Sequence, residues 1–95
     1  MEDFKGTKTP WYIGEHRETG IQIGCNQSHY VACAYRGGAD RTDYETIANA
    51  QLIAAAPMLL FELQELVRIC KANGIGVDSA EYAISKALGK EADDE

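Results

Sequence analysis

Proline is scarce in this chain, two residues in ninety-five, and cysteine nearly so, with three. The odd cysteine count and the lack of an apolar leader in "MEDFKGTKTP" predict free thiols in a reducing cytoplasm, with no secretion signal. Long apolar runs are missing as well. The uncharged stretch from Thr46 to Phe61 has sixteen residues and carries Asn49, Gln51 and Pro57. A membrane span needs about 20 mostly apolar residues, so this stretch reads as packing surface. Basic charge is short too: nine Lys and Arg stand against fifteen Asp and Glu, for a net charge of −6. That balance disfavours a nucleic-acid binder and suits docking on a basic protein surface. Catalytic signatures are absent: no nucleophile elbow, no H-E-x-x-H and no glycine-rich nucleotide fingerprint. The expectation is a non-enzymatic protein without a cofactor.

What is present is a patterned N-terminal half and a helical C-terminal half. Residues 1–9 are polar and read as a flexible N-terminus. "PWYIGEH" (10–16), "IQIGC" (21–25) and "YVACAY" (30–35) are strand-like, joined by the turn clusters "RETG" and "NQSH". Turns this short force antiparallel neighbours. From Asp43 the period changes. Ile53, Ala56, Leu60, Leu63, Val67 and Cys70 recur at helical spacing, and Leu52, Leu59 and Leu66 repeat every seven residues beside them.

Pro57 favours two helices, about 43–55 and 57–72, meeting at a sharp bend; one kinked helix is the alternative. "NGIG" (73–76) stops the second. "DSAEYAISKALG" (78–89) is a last short helix, capped by Asp78 or Ser79 and stopped by Gly89. Residues 90–95 are an acidic tail. The fold expected is one α+β domain: a three-stranded antiparallel sheet over 10–35, then two to three helices over 43–89. A core this small, beside this many leucines, predicts a homo-oligomer in which Leu52, Leu59, Phe61 and Leu66 face a second copy.

The loop "YRGGADRTD" (35–43) is the candidate ligand site. Arg36 and Arg41 flank two glycines before a helix N-terminus, a place suited to anions, and Tyr35 and Tyr44 can stack on a base. Asp40, Asp43 and Glu45 oppose that reading with negative charge. Asn49, four residues before Ile53, is placed on the apolar face and needs a partner there, in the protein or in a ligand. Cys25, His29 and Cys33, with His16 nearby, lack the usual zinc knuckle spacing; they read as packed thiols and a surface histidine, with no metal. Trp11 and Tyr12 read as core.

The segment "ANAQLIAAAPMLLFELQELV" (48–67) resembles a recurrent signature of small phage and prophage proteins, ANA-x-LIAAAP-x-LL. "FKGTKTPWYIG" (4–14) and "AISKALG" (83–89) resemble the two ends of the same proteins. Met58 and Phe61 depart from the pattern, where members carry acids. The resemblance implies a small phage protein acting in the cytoplasm of an infected bacterium, in the class of host-takeover or anti-defence factors. In layout alone the chain is similar to Thoeris anti-defence sponges, which implies sequestration of a cyclic-nucleotide immune signal by Tyr35, Arg36, Arg41, Tyr44 and Asn49. The alternatives are a factor that blocks a host defence protein, as anti-CRISPR proteins do, and an accessory phage protein of structural or regulatory role.

Overall fold

β2 (Gly20–Asn26) is the centre of a three-stranded antiparallel sheet, between β1 (Tyr12–His16) and β3 (His29–Tyr35). The computed structural model describes residues 4–26, 29–37 and 43–90. After the sheet come α1 (Asp43–Ala72) and α2 (Asp78–Ala87), so the architecture is α+β in the order expected. The chain divides into two units, Thr7–Pro57 and Met58–Glu95 with Met1–Gly6, each described by itself.

In the first unit the alternation of "IQIGC" decides which side of the sheet is dry. Ile21 and Ile23 point to one face and are fully buried, while Gln22 between them points to the other. Their β3 partners on the dry face are Ala34 and Ala32. The first part of α1 covers this face with Ala50, Ile53 and Ala54, and Trp11 and Val31 close its sides. Full burial of each isoleucine contributes about 1.5–3 kcal/mol. Ala34 of the sheet and Ala50 of the helix are both buried in this cluster. Thr46 is fully buried on the same side of the helix as Ala50. Asn49 is exposed, against the expectation that it lies on the apolar face. The buried row runs through 46, 50, 53 and 54, and that centre leaves position 49 outside it.

The β1–β2 connection is a tight hairpin. Arg17 N–H donates to the Gly20 carbonyl at 2.7 Å, and Gly20 N–H returns a bond to the Arg17 carbonyl at 3.2 Å. Glycine at 20 is a steric requirement: a Cβ there would sit 2.4 Å from the Ala34 carbonyl oxygen and 2.8 Å from the Cys33 Sγ. Gly20→Ala is therefore expected to spread β2 from β3 and lower the unfolding free energy by about 1–3 kcal/mol, the cost of overpacking. Urea denaturation measures it, and an unchanged midpoint would show that the strands are not packed this closely.

Pro57 does not separate two helices. α1 is one helix of thirty residues with the proline inside it. Two helices would need a stop and a new cap between 54 and 57, and those positions hold three alanines. Alanine is the best helix former and among the poorest N-caps, so continuation wins despite the hydrogen bond that Pro57 cannot donate.

The second unit holds the rest of α1, and α2. Both helices end in the same six-residue turn. Gly74 and Gly89 adopt positive φ, 73° and 80°. Ile75 N–H bonds to the Cys70 carbonyl at 2.9 Å and Gly74 N–H to that of Lys71 at 3.1 Å; Lys90 to Ser85 and Gly89 to Lys86 repeat the pattern at 2.8 and 3.1 Å. α2 starts differently from the expectation. Its N-cap is Val77, which makes no side-chain cap bond, and Asp78 and Ser79 lie inside the first turn. Lys71 Nζ reaches Glu81 Oε2 at 2.7 Å and ties α2 to α1. The Glu81 hydrogen bond, and then its charge, raise the Lys71 pKa above the ordinary lysine value.

Candidate functional site

The predicted ligand loop is only partly in view. Arg41 lies outside the described residues, as do Gly38, Ala39, Asp40 and Thr42. Arg36 is well placed and fully engaged. Its backbone N–H donates to the Thr19 carbonyl at 2.9 Å, and its Nε to the Arg17 carbonyl at 3.2 Å. Its Nη1 pairs with the Asp43 carboxylate at the first residue of α1. One side chain thus pins the β1–β2 hairpin and the start of the helix to the end of β3. The pairing neutralises the charge that an anion would seek. The other described arginines are also paired, Arg17 with Glu15 and Arg68 with Glu65.

The tyrosines are in the open. Tyr35 and Tyr44 adjoin the two partners of the Arg36–Asp43 pair and are 65% and 86% exposed; Asn49 is exposed further along the helix. Tyr12 and Tyr30 stand elsewhere on the sheet, 60% and 46% exposed. Trp11 meets the expectation of core, whereas Tyr12 does not: it is one residue further along and so faces the other way.

Strand register explains how these rings gather. Tyr12 and Tyr30 are the two cross-strand partners of Gly24, one on each side of β2. Gly24, Gln22 and Gly20 face away from the dry side, so Tyr12, Tyr30 and Tyr35 share the outer face of the sheet with Cys33. Tyr30 and Tyr35 are an odd number of residues apart, and strict alternation would put them on opposite faces. A register shift between Ile23 and Gly24 brings them to the same one, and Val31 and Ala32 both turn to the core. Tyr30 leans across β2: a Cβ built on Gly14 would lie 3.6 Å from its ring and 3.7 Å from the Gln22 Cβ. Glycines at 14, 20 and 24 keep the floor under these rings low. Arg17 marks the rim. Its pKa is raised first by the hydrogen bond and charge of Glu15, and then by the Tyr30 hydroxyl.

A family model described as Salmonella phage P22 protein Y8K6 matches residues 1–91. The chain belongs to that phage protein family. No curated protein and no solved structure matches it. The family fixes a phage protein and leaves the chemistry to the surface just described. Among the described residues no group of three His, Cys, Asp or Glu side chains is placed to hold a metal, and no helix is long and apolar enough to cross a membrane. Cys25, Cys33 and Cys70 are half-buried free thiols.

The proposed oligomer residues are all exposed in the single chain: Leu52 64%, Leu59 53%, Phe61 58% and Leu66 56%. They do not form one row. Leu59 and Leu66 fall on the same side of α1, but Phe61, two residues past Leu59, is about 200° around the helix from it.

Proposed function

We propose that this phage protein is a non-enzymatic binding factor that occupies a host protein, a defence protein being the target class its phage origin suggests. The contact surface is the outer face of the sheet. The observation that carries this reading is the set of exposed Tyr12, Tyr30 and Tyr35 on one glycine-floored face, rimmed by Arg17. Tyrosine and arginine are the residues that dominate protein interfaces, because a ring contributes large area at little entropic cost. The net charge of −6 favours a basic partner.

Sequestration of a cyclic-nucleotide signal is the second reading. Exposed Tyr35 and Tyr44 beside Arg36 favour it. The Asp43 carboxylate on Arg36 opposes it, since a phosphate would have to displace that partner first.

The discriminating variant is Tyr12→Ser with Tyr30→Ser, which leaves the buried isoleucines untouched. Captured host protein, measured against the purified partner by calorimetry, is expected to fall at least about 100-fold in affinity, as for two hot-spot residues. Binding should also weaken as salt rises. Unchanged affinity in the variant would remove the outer face from consideration. Heat from a cyclic dinucleotide, abolished by Arg36→Ala, would move the assignment to the second reading.

A further inference from the structure

The helical unit from Met58 onward leaves large apolar side chains at its surface. Among its described residues Val67 is the one buried side chain, and α2 buries none. Met58, Leu59, Phe61, Leu66, Ile69 and Tyr82 are each about half exposed or more. Two helices joined by one ion pair and closed by glycine turns hold these side chains in place without covering them.

At 100° per residue Met58, Ile69, Leu66 and Leu59 fall within about 100° of one another on α1, around Glu62, and buried Val67 lies next to Leu59. Phe61 lies nearly opposite Leu59, beside Gln64, Glu65 and Arg68, and belongs to the polar side. An apolar side this wide is the kind a helix buries against neighbouring helices.

We infer that the helical units of two copies of this chain associate through α1 and α2 into an antiparallel four-helix bundle. The area agrees with that occupant. Met58, Leu59, Leu66 and Ile69 on that side, with Tyr82 of α2, at roughly 100 Å² each remove about 500 Å² per copy, or about 1,000 Å² in total, which reaches the roughly 1,000 Å² a stable interface needs. A second copy also matches like with like. A two-fold pairing lays the same leucines on both sides, and the partner is present wherever the chain is made. The tyrosines belong to the other unit, so each dimer carries two copies of that face.

Sedimentation equilibrium on the full chain, from about 1 to 100 µM, tests it. The expected mass is twice the 10.4 kDa of the chain. Leu59→Glu with Leu66→Glu is expected to give monomer with the sheet signal intact in circular dichroism. If that variant fails to fold, the milder Leu66→Ser should raise the dimer dissociation constant at least about 10-fold, the effect of losing roughly 1.4 kcal/mol. A wild-type chain that stays monomeric at 100 µM overturns the inference. A dimer whose dissociation constant is indifferent to Leu66→Ser and Leu59→Ser overturns it too, because its contact would lie elsewhere.

Discussion

Ile23→Ala is expected to remove about 2–5 kcal/mol of unfolding free energy, the range for truncating a fully buried isoleucine. Ile23 has no exposed surface and sits among Ile21, Ala34 and Ala50. Half of the other side chains packed in this cluster are alanines, which have no length with which to fill the space left behind. The cavity should therefore persist and the cost lie in the upper part of the range. A domain of this size begins with little stability to lose, so cooperative unfolding could vanish at room temperature. Ile13 gives the internal comparison. It pairs with Ile23 across the strands but is 41% exposed at the sheet edge, so Ile13→Ala should cost much less. Urea titrations of both variants decide the point. Equal losses would mean that the dry face is not where the register puts it.

Pro57→Ala is expected to act in the other direction. The proline occupies the interior of a thirty-residue helix, where its ring crowds the preceding turn and it has no N–H for the Ile53 carbonyl. Proline inside a helix costs about 3 kcal/mol relative to alanine, and local adjustment recovers part of that. A gain of about 1–3 kcal/mol should follow, and each kcal/mol is worth about 4–8 °C in Tm at this chain length. Calorimetry at a fixed protein concentration measures it. A lower Tm would show that the proline fixes a helix path the rest of the fold depends on.

The sheet was legible because its signals are local. "IQIGC" alternates, "RETG" and "NQSH" are too short for crossovers, and the three strands follow in order. The glycine stops at 74 and 89 were legible for the same reason. Pro57 was misread because a strong local rule met a weaker but longer one. One proline argues for a break, while fourteen helical residues before it and fifteen after it argue against it, and the sum decides.

The tyrosine face was hidden by the bulge. Nothing in "YVACAY" says that one residue will be skipped in pairing, and without that skip Tyr30 belongs to the core side. Asn49 was misplaced because it was counted back from Ile53, at the margin of the buried row, and not from Ala50 at its centre. Arg36 reads in the sequence as an anion holder, and the structure shows it held by protein groups. Its partners could not be read, since two of them are backbone carbonyls nineteen and seventeen residues upstream.

Alternation along β2 and β3 has a consequence for how such a protein can change. Apart from the bulge at Val31 and Ala32, residues that hold the domain together and residues that meet the outside alternate along the strands and lie on opposite sides of the sheet. Substitutions at 12, 30 or 35 can reshape what the surface recognises without disturbing Ile21, Ile23 or Ala34 beneath. Under the binding role proposed above, a phage lineage pressed to follow a changing host could rewrite its target through a few codons and inherit the scaffold unaltered.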